Sequence, residues 1–280
     1  MKRPAELAIL SRHVLFALFL LLMLLGGLVV NVEASNSKIL PYQYNSSTSY
    51  VGILYAYPNQ AEVVAGANWV GVILSDPLDR TDGFKPFVDR MHSAGLLVAG
   101  TIYRPTVEAA ISAALKAKSF GFDMIILDEL LSRGVFDAAS FNELVTRLRI
   151  SPRRNPVLVV GMSDYDVAKM TQFLAEGAKP DFIAITTYYA DLAICKANID
   201  AVAALAAQYK IPAYDWVTFA DPRAITTTDQ IAMSALANYA KSKVNGVWFW
   251  MYGDVSWSGW VWGDWYLKNY DYVKSLVPIL

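Results

Sequence analysis

The chain is poor in the residues that build covalent staples and metal centres: 280 residues hold one cysteine, Cys195, and two histidines, His13 and His92. A single thiol forms no internal disulfide, and so few thiols and imidazoles exclude zinc clusters and histidine-rich metal sites. Glycine-rich phosphate loops are also missing. No apolar run leads into GxGxxG, or into GxxxxGK followed by Ser or Thr, which argues against nucleotide cofactors. We therefore expect no metal and no organic cofactor. A formal charge of -1 gives no basic excess to recruit nucleic acid. His13 falls in an apolar N-terminal stretch and His92 in a helical stretch, so neither is a catalytic candidate.

Charge is absent from one further place. Val14 to Val32 runs nineteen residues without an ionisable side chain, behind Lys2, Arg3 and Arg12. That length almost spans a hydrocarbon core, while Val32-Glu33-Ala34 offers small residues for cleavage before Ser35. Residues 1–34 thus read as a signal peptide or a signal anchor. Either one places the remainder outside the cytoplasm, secreted or held to the membrane by this segment alone. Residues 35–49 are rich in Ser and Asn with no apolar period, and read as a linker. With no disulfide available, the core of residues 50–280 must hold the fold unaided, which a domain of this size can do.

From Tyr50 onward, short apolar runs alternate with helical stretches. The strand candidates are Val51–Tyr57, Trp69–Ser75, Leu96–Tyr103, Met124–Leu127, Val157–Met162, Phe182–Tyr188, Ala213–Phe219 and Gly246–Met251. Between them, Ala138–Ile150 sets Phe141, Leu144, Val145 and Leu148 on one helical face, with Asp137 placed to cap it. Eight such strands, each spaced for a crossover helix and without a composition break, favour a single α/β domain closed as a (β/α)8 TIM barrel. An open doubly wound sheet is the alternative.

In a closed barrel the C-terminal strand ends converge on one mouth, where chemistry is carried out. The residues falling there are Tyr55, Tyr57, Asp76, Tyr103, Arg104, Asp128, Glu129, Asp164, Tyr188, Asp191, Asp215, Trp216, Trp250 and Asp254. The set is acidic and aromatic. Aromatic faces stack on the C–H faces of sugar rings, and carboxylates bind hydroxyls and move protons. Six of the eight tryptophans lie between residues 248 and 265, which strengthens that reading, although packing of the last strand accounts for some of them. Asp76 and Asp164 have a competing role, since Asp before Pro or at a helix start commonly turns or caps the chain.

Glycoside hydrolysis requires one group to protonate the leaving oxygen and a second to act as base or nucleophile. Asp128-Glu129 closes an apolar run, where a carboxylate pair is costly unless it is paired or used. Alternation along a strand puts Ile126 and Asp128 on one side, with Ile125, Leu127 and Glu129 on the other. Asp128 is then one catalytic candidate. The second is Glu129, if the backbone turns over the mouth, or else Asp191, Asp215 or Asp254.

Gly121-Phe122-Asp123-Met124-Ile125-Ile126-Leu127-Asp128-Glu129 resembles the fourth strand of the spherulin-4-like and endo-α-1,4-polygalactosaminidase families, with Met124 replacing a second glycine. The resemblance implies a (β/α)8 enzyme acting on extracellular polysaccharide, with Asp128 catalytic and Glu129 beside it. Those families carry a further catalytic Glu near the end of the sixth strand, where Thr187 stands here. A looser similarity to chitinase-like barrels runs through Thr187-Tyr188 and Val247-Trp248-Phe249-Trp250. The expectation is an exported glycoside hydrolase, or hydrolase-like protein, with a polysaccharide or oligosaccharide as partner. The alternative is a non-catalytic glycan-binding or surface-anchored structural barrel.

Overall fold

The computed structural model describes residues 50–55, 57–74, 83–150, 159–189, 192–219, 227–251, 256–257, 260–261 and 271–280. They belong to one compact unit, Gln43–Leu280. The export segment and linker expected over residues 1–49 lie outside the described residues. No helix among the described residues is long and apolar enough to cross a membrane.

Eight parallel strands form the sheet: β1 Tyr50–Tyr55, β2 Trp69–Ile73, β3 Leu97–Ile102, β4 Met124–Asp128, β5 Val159–Asp164, β6 Phe182–Tyr189, β7 Ala213–Phe219 and β8 Gly246–Met251. They pair in chain order, and β8 returns to β1 through the register Tyr50↔Gly246 to Tyr55↔Met251. Closure excludes the open sheet. The connecting helices are α1 Phe84–Ser93, α2 Val107–Phe120, α3 Ala138–Ile150, α4 Val167–Ala175, α5 Leu192–Tyr209 and α6 Thr227–Lys243. Helix α3 buries Phe141, Leu144, Val145 and Leu148, and Asp137 accepts a 2.8 Å hydrogen bond from the Ser140 amide at its start.

Two apolar layers hold the barrel. The outer one joins strands to helices and includes Val51, Ile53, Tyr55, Ile125, Leu127, Ala213 and Val217. The inner one fills the barrel with Tyr50, Leu54, Trp69, Leu97, Ala99, Met124, Ile126, Val159, Phe182, Ala184, Tyr214, Trp216 and Trp248. Large side chains fit inside because each faces a small residue in register: Trp69 opposite Gly52, Phe182 opposite Gly161, Tyr214 opposite Gly246 and Met124 opposite Ala99. A Cβ on Gly52 would lie 2.0 Å from the Trp69 ring, and one on Gly161 1.8 Å from that of Phe182. Packing at crystal-like density therefore demands glycine at these positions.

The N-terminal rim repeats one device four times. Just before β2, β4, β6 and β8 stand Asn68, Asp123, Asp181 and Asn245. Each side chain accepts the amide of a residue at the foot of the preceding strand: Val51 at 2.6 Å, Val98 at 2.8 Å, Val160 at 3.2 Å and Ala213 at 3.0 Å. Each of the four amides donates back to the carbonyl of that same residue, at 2.8 to 3.0 Å. These paired bonds satisfy donors that would otherwise be stranded where each ladder begins.

The Gly121-to-Glu129 stretch now divides into parts. Gly121 ends α2 in the left-handed region at φ 93, where a side chain would be strained. Asp123 belongs to the rim device and also meets the His92 Nε2 of α1 at 2.6 Å. Met124 and Ile126 point into the barrel, so the same alternation delivers Asp128 to the inside of its upper end.

Candidate active site at the C-terminal mouth

On β3, β4, β5 and β6 the inward series changes from apolar to polar as it rises. After Ala99 comes Thr101, after Ile126 Asp128, after Gly161 Ser163, and after Ala184 Thr186, all of them buried. Asp128 pairs in register with Ser163, whose hydroxyl lies 3.0 Å from that of Thr186. A polar ring thus caps the apolar filling and floors the mouth. Trp216 stands in register with Thr186 and packs edge-on to Trp248 with ring centroids 6.1 Å apart.

Asp128 is the carboxylate of this ring. Only 2% of it is exposed, and its Oδ1 has no hydrogen-bond partner among the described residues. Burial pushes its pKa well above the ordinary carboxylate range. The neighbouring charges of Glu129 and Asp164 push the same way, and Arg133 opposes them. Burial of this kind favours the neutral, proton-bearing form of the carboxyl over the charged one.

Glu129 leaves the strand abruptly. Its φ of 55 lies in the left-handed region, uncommon for a side-chain-bearing residue, while its amide still bonds the Ser163 carbonyl at 2.8 Å. The backbone therefore turns at the very residue that strand alternation would set on the outer side. The turn runs on to Arg133, whose guanidinium lies 3.8 Å from the centre of the Tyr103 ring. Tyr103 continues the inward series of β3. Burial raises its pKa, Arg133 lowers it, and Glu129, Asp128 and Tyr165 raise it further. Asp128, Glu129, Asp164, Tyr103, Arg133 and Tyr165 therefore form one electrostatic group, in which Tyr165 is 48% exposed.

Several expected members have other positions. Tyr55 faces outward into the strand–helix layer, because β1 presents its even-numbered residues to the interior. Asp215 is likewise on the outer side of β7, between Ala213 and Val217, and its carboxyl takes the Thr187 hydroxyl at 3.0 Å. Thr187 shares that outer side, so the position that stands where the resembling families carry their further catalytic Glu does not face the barrel interior. Asp164 is buried beside the mouth, but its oxygens accept the Ser132 amide at 2.9 Å, the Ser132 hydroxyl and the Asp166 amide at 2.9 Å. Its bonds hold protein rather than an open face. Trp216 is fully buried in the floor. Tyr57 lies beyond β1 and is 39% exposed, and Arg104, beside Tyr103, is buried. Asp76, Asp191 and Asp254, and the side chains of Tyr188 and Trp250, lie outside the described residues.

Sequence reasoning did not single out Thr101, Ser163, Thr186 or Arg133 as site residues. The first three could have been found by extending each inward series two residues past its last apolar member. Arg133 had no such signal, since its position depends on how the β4–α3 turn closes. Among the described residues no group of three or more His, Cys, Asp or Glu side chains is placed to hold a metal ion. A cavity of about 290 Å³ lies instead near the opposite rim, lined by Leu174, Gly177, Ala178, Lys179, Pro180, Tyr209 and Ile211. It contains no carboxylate.

No protein-family model and no curated protein matches the chain. Among solved structures, a variant of the citrate synthase SbnG is similar at 13% identity and TM-score 0.53, over 82% of this chain and 93% of that one. An HpcH/HpaI aldolase from Desulfitobacterium hafniense DCB-2 is similar at 12% identity and TM-score 0.51, again over 82% and 93%. Likeness at this identity shows the fold alone, and one fold hosts many reactions. The chain is a single eight-stranded parallel (β/α)8 barrel, an architecture that most often carries enzymes.

Proposed function

We propose that this protein is an exported glycoside hydrolase, or hydrolase-like protein, that takes an extracellular or cell-surface polysaccharide at the C-terminal mouth. One observation supports the reading above others. Asp128 is a buried carboxyl whose surroundings favour its neutral form, with an Oδ1 unpartnered among the described residues, set in a polar ring at the end of the barrel where this fold places its chemistry. Such a group is suited to give its proton to a glycosidic oxygen as that bond breaks. Glu129, on the turn beside it, is the candidate for the base, the nucleophile or a ligand of sugar hydroxyls. Tyr103 and the exposed Tyr165 offer ring surfaces for a sugar. The uncharged Val14–Val32 run supports export, whether by cleavage or by retention as an anchor.

A second reading, a barrel that binds glycan without cleaving it, draws support from the positions of Asp164 and Asp215. The first is tied to Ser132 and the second faces the helices, so neither is open to substrate as partner to Asp128. One experiment separates the two readings. Purified protein is incubated with a panel of polysaccharides, and new reducing ends are measured for wild type and Asp128→Asn. The hydrolase reading expects ends from the wild type, lost in the variant while thermal unfolding stays nearly unchanged. Binding of a polysaccharide by both proteins with no new ends would establish the second reading in its place.

A further inference from the structure

Ser132 is grasped at all of its polar groups from one direction. Its amide and hydroxyl go to the Asp164 carboxylate, and its carbonyl takes the Lys169 Nζ at 2.7 Å. Asp164 ends β5 and Lys169 lies in the first turn of α4. The grasped residue sits in the middle of the turn after β4, three residues past Glu129 and one before Arg133. That turn is short and closed on itself, with the Arg133 amide bonded to the Glu129 carbonyl at 3.1 Å and the Gly134 amide to that of Leu131 at 2.9 Å. Fixing Ser132 therefore fixes both flanking side chains.

We propose that Asp164 is the positioning residue of this mouth: by pinning Ser132 to the end of β5 it holds Glu129 and Arg133 in place beside Asp128. The proposal concerns the site that the functional reading assigns to Asp128, and its geometry holds whatever reaction occurs there. A carboxylate suits the task better than an amide. Three donors converge on Asp164 within a buried site, and only a carboxylate presents two oxygens with enough lone pairs to receive them. The arrangement also accounts for Glu129. A left-handed conformation at a side-chain-bearing residue persists only where the surroundings over-determine it. Here the Ser163 carbonyl holds one side of Glu129 and the pinned Ser132 the other.

The consequence for Asp128 is electrostatic. The groups acting on it are Glu129 and Asp164, which favour its neutral form, and Arg133, which favours its charged form. Arg133 also rests on Tyr103. A turn free to slide would change the distances of Glu129 and Arg133 from Asp128 and alter its titration.

The test uses the full chain with no substrate, so its result is independent of whether any polysaccharide is cleaved. Carbon-13 NMR follows the titration of the Asp128 carboxyl, and amide hydrogen exchange follows Arg133 and Gly134, in wild type, Asp164→Asn and Ser132→Ala. Losing hydrogen bonds to this buried carboxyl should speed exchange at Arg133 and Gly134 roughly tenfold or more in Asp164→Asn, with the β4 amides of Ile125 and Leu127 unchanged. Ser132→Ala alters no charge and retains the backbone bond. It should still speed exchange at the same two amides, by less, and displace the Asp128 midpoint. That displacement is what a purely local packing role would not produce. If Asp164→Asn does not fold, Ser132→Ala and Lys169→Met carry the test. Wild-type exchange and titration in the Ser132→Ala protein, or faster exchange spread evenly over the barrel in any of the three variants, overturns the proposal.

Discussion

The ring of Phe182 on β6 occupies the space that a side chain on Gly161 of β5 would need, with an added Cβ falling 1.8 Å from its Cζ. The two residues are register partners facing into the barrel. Gly161→Ala should therefore destabilise the fold by about 1–3 kcal/mol or more, the usual range for overpacking a filled core. Chemical denaturation checks this, and combining Gly161→Ala with Phe182→Leu should recover part of the loss. A single Gly161→Ala variant as stable as wild type would mean that the ring can move aside.

The fold was legible because parallel barrel strands, buried on both faces, read as continuous apolar runs, and all eight were visible that way. The same property concealed which residues face inward. On β1 both faces are apolar, and on β7 the lone carboxylate stands on the side that faces the helices, so Tyr55 and Asp215 were as plausible at the mouth as anywhere else. On β4 the polar Asp128 broke the tie. Gly52, Gly71 and Gly161 held the missing information, since an interior packed with rings needs small residues on the inward side. The turn after β4 could not be read at all, because it depends on Asp164 reaching Ser132 across 32 residues of chain.

The four Asn and Asp residues at the N-terminal rim perform the same task with either side-chain type, so exchange between the types should be mild and truncation should not. Asn68→Asp and Asp123→Asn are expected to cost under about 1 kcal/mol, because an accepting oxygen remains. Asn68→Ala and Asp123→Ala should cost about 1–3 kcal/mol by leaving the Val51 or Val98 amide unpaired. Urea unfolding of the four variants gives the comparison, with Asp123→Ala the most affected because His92 also loses its partner.

Asp215 makes stability depend on pH. Burial raises its pKa to about 8, against the pull of the Thr187 hydroxyl and the Trp216 amide. In the unfolded chain it titrates near the ordinary carboxylate value of 3.8. Between those values the folded state holds a proton that the unfolded state has released. The stabilisation is complete below the lower value and is lost as pH rises through the upper one. At about 1.4 kcal/mol per pKa unit the full loss is on the order of several kcal/mol. Asp137 and Asp200 have lowered pKa values and act in the opposite sense, below the ordinary carboxylate value, outside this window. Denaturation midpoints measured from pH 4 to 9 should fall for wild type and fall less for Asp215→Asn. Asp128 contributes in the same direction, so its Asn variant should flatten the curve further.

Glu129 offers the sharpest separation of function from stability. Its φ of 55 costs about 1 kcal/mol or more for a residue with a Cβ, and glycine carries no such penalty. Lys210, with φ 56 on the exposed side of the loop after α5, has the same backbone strain away from the mouth. Glu129→Gly and Lys210→Gly should therefore both raise the unfolding midpoint, each by the equivalent of about 0.5–1 kcal/mol once the greater entropy of an unfolded glycine is deducted. Glu129→Ala should bring no such gain, since its Cβ retains the strain. If Glu129 works on substrate, both of its variants lose polysaccharide cleavage equally while their stabilities diverge, and Lys210→Gly keeps full activity. A Glu129→Gly protein less stable than Glu129→Ala would show instead that the carboxylate itself supports the turn.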